Sequence, residues 1–189
     1  MLTDRDIHAA LRRGDLVVTG LDPALVRPAA VSLRLGDEAF VVRSRRPVDA
    51  ADLTTYPELV PSPVNEDGRI VLPRGQVLLA RTLERIGVGE RLAGLLDGTS
   101  DWARLGVSVV LSHQVSPGYG MPMGSPLTLE IVSRLDHDLL LRPGVRIANL
   151  MLIRGRRSRR SYLDMEAHHS TEDWSVASRL AEAEQRRSD

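Results

Sequence analysis

From Leu16 onwards the chain is a succession of short apolar runs rich in β-branched residues, and this pattern restricts the fold more than any other feature. LVV, VSLRLG, AFVV, RIVL, QVLLA, VSVVL, LTLEIV, LLL and RIANLML follow one another, separated by Gly, Pro, Asp and Asn. Many short runs with turn residues between them predict a mainly β domain built from many strands. Ahead of them, Thr3 followed by Asp6 resembles a capping box with Asp in place of Glu. Ile7, Ala10 and Leu11 share one face, and Gly14 stands where a helix is expected to stop. This predicts a short helix from about Asp4 to Arg13.

Pro57, Pro61, Pro63 and the Asn65–Gly68 stretch mark a long loop or hairpin end. Glu90 to Leu96 reads as a helical turn or an irregular lead-in to a strand. After Ile153 the basic run GRRSRRS reads first as a solvated linker, with phosphate binding as its functional alternative. Beyond Tyr162 the strand pattern ends. Trp174, Val176, Ala177, Leu180, Ala181 and Ala183, with Glu and Arg between them, predict a helical tail. There is no internal repeat, and the expected division is a barrel over residues 1–160 with a tail over 161–189.

A chain of 189 residues suits one domain with a real core. Aromatics are only 3%, so that core must rest on Leu, Val, Ile and Ala. Formal net charge is zero, which argues against a nucleic acid polymer or an anionic membrane as partner. All 25 basic residues are Arg, so a phosphate gripped by a basic side chain is gripped by a planar fork. Without Cys there is no disulfide and no zinc site with thiolate ligands. The charged N-terminus lacks an apolar signal core, and no run approaches the roughly 18 apolar residues of a membrane span, so the expected location is the cytoplasm.

Four segments in order resemble dCTP deaminase, of the dCTP deaminase/dUTPase superfamily. They are the opening LTDRDIHAALRRGD…VSLRLGDEAFVV, then LPRGQVLLARTLERIGVGERLAGLLDGTSDWARLGV, SPGYGMPMGSPLTLEIVS, and LLLRPGVRIANLMLI; WSVASR adds a trace of the tail. The resemblance implies a distorted β-barrel, or jelly roll, of the dUTPase-like type, with a short N-terminal helix and a C-terminal helical tail. It also implies a homotrimer with active sites between subunits.

Hydrolytic deamination of cytosine needs water attack at C4 and a proton shuttle to N3 and the departing amine. Many nucleobase deaminases use zinc for this, with a Glu moving protons; the resembling family uses a carboxylate and fixed hydrogen bonds. By the resemblance Glu130 in LTLEIV is the catalytic general acid/base. On alternation alone it is an outward-facing Glu, opposite in sense to Leu127, Leu129 and Ile131. Ser100 and Arg104 in DGTSDWARLG match the family's Ser and Arg, where Ser100 would donate to phosphate or water and Arg104 would orient Glu130 or stabilise charge. Their structural alternatives are a turn serine and a surface ion pair. Gly98, Thr99 and Asp101 are nominated beside them for substrate binding, Gly98 for a sharp backbone approach. Ser112, His113, Ser116, Tyr119 and Arg179 complete the nominated substrate contacts. No residue is nominated as a metal ligand, and magnesium enters only as an escort of nucleotide phosphates.

The chain also departs from the family pattern. Asp101 replaces a second Ser of the signature loop, which brings like charge towards a phosphate. Ser116 replaces the Asp before Pro-Gly that helps recognise the sugar, and Ser32 replaces the Asp of the V-D-x-R-L-G strand. A short insertion falls around Gly120–Pro126, and the tail lacks the residues that close over the triphosphate. His168 and His169 read as an exposed pair before they read as nucleotide contacts. The losses fall on phosphate, magnesium and sugar contacts while Glu130, Ser100 and Arg104 remain. The leading expectation is a metal-independent deaminase of a cytosine nucleotide, dCTP-like but modified or less phosphorylated. A non-catalytic nucleotide-binding homologue is the alternative, and a dUTPase-like diphosphohydrolase the third.

Overall fold

The computed structural model describes residues 1–164 and Ser178. α1 (Asp4–Arg13) forms with the expected bounds and ends at Gly14 in left-handed backbone, φ 72°. Asp6 Oδ2 accepts from the Thr3 N–H at 3.1 Å and the Thr3 hydroxyl at 3.0 Å. These bonds hold the Asp6 carboxyl below the usual carboxylate range. Ile7 and Ala10 bury the apolar face of the helix.

Twelve strands follow among the described residues: β1 (Leu16–Thr19), β2 (Val26–Arg27), β3 (Ala30–Arg43), β4 (Glu58–Pro61), β5 (Ile70–Leu72), β6 (Val77–Val88), β7 (Leu92–Gly98), β8 (Val107–Ser108), β9 (Gln114–Val115), β10 (Ser125–Ser133), β11 (Leu139–Leu141) and β12 (Arg146–Arg154). A short helix, α2 (Ser100–Arg104), follows β7. Ser100, whose structural alternative was a turn serine, opens this helix, while the Glu90–Leu96 segment leads into β7 at Leu92. In the proline-rich stretch, Asn65–Gly68 turns a hairpin end between Val64 and Ile70 as expected, while Glu58–Pro61 departs from expectation by pairing with β3 as an edge strand, where proline is tolerated. The predicted C-terminal helix lies outside the described residues.

Ten strands form one antiparallel sheet whose main path runs β8-β10-β6-β3-β12-β7-β9, while β5 and β11 make a separate ribbon. β3 pairs with β12 through residues 31–34 and with β6 through residues 35–42. One long strand therefore passes between the two halves of the sheet, which curls into a half-barrel. The concave side is filled by fully buried Leu33, Leu35, Leu78, Ile86, Leu129 and Ile131, among others. Aliphatic residues carry this core, as the scarcity of aromatics requires.

Two irregularities sit together where β6 meets its neighbours. The β3–β6 register shifts between Leu35 and Ala39, and the β10–β6 register shifts between Pro126 and Thr128. A bulge leaves ladder groups without their regular partners, and β6 side chains supply replacements. Glu84, fully buried, accepts from Arg34 N at 2.8 Å and from Arg34 Nε at 2.6 Å. Thr82 Oγ1 accepts from Leu127 N at 2.9 Å and donates to the Glu84 carbonyl at 2.7 Å. Gly36 lies inside the β3 bulge, where a Cβ would come within 3.0 Å of the Arg81 carbonyl oxygen. Replacing Thr82 by Val keeps the side-chain shape but strands the buried Leu127 N–H. The expected loss is about 1–3 kcal/mol, read from the urea midpoint at fixed protein concentration.

Candidate active site

β10 alternates as its sequence requires: Leu127, Leu129 and Ile131 are buried, while Thr128 and Glu130 face the other side, half-buried. Glu130 stands opposite Leu79 of β6. Its Oε2 accepts from two successive backbone N–H groups, Leu111 at 3.1 Å and Ser112 at 3.3 Å. Those donors are held in place from below and from the side. Val109 and Val110 are buried, and Leu96 N donates to the His113 carbonyl at 2.8 Å. Glu130 Oε1 has no hydrogen-bond partner among the described residues, so one carboxylate oxygen is fixed and the other is available.

This carboxylate lines a pocket of about 370 Å³, together with Ser112, Gln114, Tyr119, Thr128 and Tyr162 around an aliphatic floor of Leu79, Leu96, Val115 and Leu127. Ser178 also lines it. The Tyr119 hydroxyl donates to the Pro126 carbonyl at 2.5 Å, and its ring lies 5.6 Å from that of Tyr162. Burial pushes both phenols above their usual range, so both stay protonated O–H groups at neutral pH. A pocket with an aliphatic floor and one carboxyl among neutral polar groups suits a heterocycle that presents hydrogen-bonding groups at its edge.

The nominated residues fall into separate places. Ser112, Tyr119 and Glu130 meet in this pocket. Thr99, Ser100 and Asp101 line a different cleft of about 470 Å³, and Gly98, Thr99 and Ser100 a third hollow. Arg104 reaches out to Asp101 at 3.8 Å, both side chains being mostly exposed. His113 turns its ring towards β7, with Nδ1 2.8 Å from the Leu96 carbonyl, and Ser116 accepts from Gln114 Nε2 at 3.3 Å. Gly98 does not take a positive φ; its constraint is Val109, whose Cγ2 would lie 3.1 Å from a Cβ there. Arg179 lies outside the described residues. Within one chain, then, Glu130 and the Ser100–Arg104 segment do not share a pocket.

Thr128 and Tyr162 escaped the sequence reading. Thr128 was accessible to it, since it sits two residues before Glu130 and on the same strand face. Tyr162 was not, because long-range bonds bring it in. The basic run read as a linker is tied down: Arg157 pairs with Glu90, and Ser158 N and Gly155 N donate to the Glu90 and Arg91 carbonyls. Ser161 is then buried against Gly118, and Tyr162 N donates to the Pro117 carbonyl at 2.8 Å. Among the described residues no cluster of three or more His, Asp or Glu side chains is arranged to hold a metal ion, and no helix is long and apolar enough to cross a membrane.

The profile of a family described as dCTP deaminase-like matches residues 1–155. A protein of Salinispora tropica named "dCTP deaminase, dUMP-forming" is 34% identical over 156 residues, covering 82% of this chain and 79% of its own length. An Acidothermus cellulolyticus protein of the same name is 31% identical over 160 residues, covering 82% and 80%. Among solved structures, the 2′-deoxycytidine 5′-triphosphate deaminase from Agrobacterium tumefaciens superposes with a TM-score of 0.59 at 23% identity. That match covers 82% of this chain and 48% of the solved one, and it speaks to the fold.

Gly118 links the pocket wall to the rest of the barrel. Its φ is 88°, and a Cβ there would lie 1.9 Å from Ser161 Oγ. Gly118→Ala should therefore displace Ser161 and Tyr162 from the wall. Hydrogen exchange should show the Tyr162 N–H losing its protection, while core amides of β6 and β10 keep theirs.

Proposed function

The chain belongs to the dCTP deaminase-like family, and from that premise we propose that it deaminates a cytosine nucleotide by hydrolysis, with Glu130 as general acid and base. The observation that carries this reading is the Glu130 carboxylate, which lines a pocket of about 370 Å³ and is anchored through Oε2 by two backbone N–H groups. In the proposed reaction a water adds to C4 as Glu130 takes its proton and delivers it to N3. The tetrahedral carbon then bears a hydroxyl and an amino group. Glu130 moves the hydroxyl proton to the amine, the C4–N bond breaks, and ammonia leaves a uracil base. One group handles both transfers, so a carboxylate held in one orientation has an advantage over a mobile one.

The proposed site is completed by a second copy of the chain, supplying Ser100 and Arg104 opposite Glu130. Two observations support this. The Ser100–Arg104 segment lies apart from the Glu130 pocket in one chain, and the outer face of β7 and β12 leaves Leu95 and Ile153 exposed, with Met151 half-buried opposite Leu95. An apolar sheet face of this kind gains burial through association. The expected particle is a homotrimer of the 20.8 kDa chain, checked by light scattering at micromolar concentration; a monomer would remove the shared site.

Glu130→Gln keeps size and hydrogen bonding but cannot carry a proton. Turnover should fall about a hundred- to ten-thousandfold, with nucleotide affinity and oligomeric state unchanged. Ammonia and pyrophosphate are scored separately over a panel of cytosine nucleotides, because the Salinispora and Acidothermus relatives are named as dUMP-forming. Normal turnover in Glu130→Gln would overturn the mechanism. Binding with neither product would instead mark a non-catalytic nucleotide-binding homologue, the reading that Ser32, Asp101 and Ser116 favour.

A further inference from the structure

The cleft of about 470 Å³ beside α2 draws its polar side chains from four elements: β2 gives Arg27, β3 gives Ser32, α2 gives Ser100, and β12 gives Arg146 and Asn149. Arg27 and Arg146 are exposed and have no ion-pair partner among the described residues. The carboxylate that lines the cleft, Asp101, leans to Arg104 at 3.8 Å. At its base Ser32 is buried, and its hydroxyl donates to Asn149 Oδ1 at 2.8 Å. That bond uses the amide oxygen and presents the Asn149 NH₂ as a donor without a partner among the described residues. Trp102 Nε1 donates to the Arg146 carbonyl at 3.0 Å, which pins α2 to the strand carrying the arginine.

We infer that this cleft is a phosphate site in which Arg27 and Arg146 neutralise the anion directly, with Asn149 and Ser100 as neutral donors and with no divalent cation between. Two guanidiniums set against one engaged carboxylate give the cleft a positive balance. Guanidinium forks match phosphate oxygens in pairs. Magnesium escorting a polyphosphate is held through one or two protein carboxylates, and this donor set does not fit it. Ser32 stands where the resembling family carries Asp, its hydroxyl is already spent on Asn149, and Asp101 faces Arg104. The family's division of labour is thus changed: arginines from β2 and β12 supply the positive charge. That the phosphates belong to a nucleotide whose base lies in a neighbouring copy's Glu130 pocket rests on the function proposed above. The anion site itself does not.

The test uses inorganic pyrophosphate and the full-length protein, titrated calorimetrically in buffer containing EDTA and again in buffer containing magnesium. Wild type should bind at least as tightly in EDTA as in magnesium, because magnesium competes for the pyrophosphate oxygens. Arg27→Gln and Arg146→Gln should each weaken binding about tenfold or more, the loss expected for a charge-assisted hydrogen bond. Arg45→Gln, on the β3–β4 connection, should bind as wild type. Unchanged melting temperatures establish that the two cleft variants fold, as their exposed side chains lead one to expect. Pyrophosphate carries no base to deaminate, so failure of the deamination chemistry and failure of the anion site are read separately. Wild-type affinity in both cleft variants, binding only with magnesium, or no binding at all would each overturn the proposal.

Discussion

The structure depends on how β6 resolves two bulges at once. β3 and β10 both lose register against it, and the ladder groups stranded there find Thr82 and Glu84. Glu84 is a carboxylate with no exposure, and it persists because Arg34 meets it with both a backbone and a side-chain donor. Removing one partner of such a pair leaves an uncompensated buried charge, which typically costs about 3–5 kcal/mol. The gain is geometric. With Leu127 N held by Thr82, the residues beyond the bulge are set so that Leu129 and Ile131 enter the core and Thr128 and Glu130 face outwards. A slip of one residue would exchange those faces and put the carboxylate into the aliphatic core.

Around this frame the polar groups divide into two kinds of surface. The Glu130 pocket contains one carboxyl group among hydroxyl, amide and aliphatic side chains, and it suits a base. The cleft beside α2 holds two guanidiniums and suits phosphate. One chain does not join them, and the exposed aliphatic face of β7 and β12 gives association a driving force. In the account proposed here the enzyme is its assembly: the chain carries half of two different sites.

Much of the fold was legible because its determinants are local. The Thr3–Asp6 pair and Gly14 bracket α1 at the residues observed, and the outward face of Glu130 follows from alternation with Leu127, Leu129 and Ile131. Asn65–Gly68 does turn a hairpin and the basic run is largely exposed, but β4 and the anchoring of the basic run were not legible, for a common reason. β4 is a strand because β3 offers it an edge, and the Gly155–Ser161 segment is ordered by Glu90 and Arg91; neither partner is near in sequence. The bulges are equally non-local. α2 is too short for any periodicity to announce it. Arg27, Arg146 and Asn149 were passed over because an isolated Arg or Asn in a strand run carries no signal until the topology gathers them.

Glu130 and Ser100 of different copies are proposed to form one deaminating centre. This is tested most directly by mixing two inactive chains, Glu130→Gln and Ser100→Ala, under conditions of subunit exchange. Each chain keeps the residue that the other lacks. In randomly mixed trimers roughly a quarter of the sites should join an intact Glu130 to an intact Ser100, and cytosine deamination should return to about that fraction of wild type. Activity no greater than that of the two parents combined would contradict the shared site.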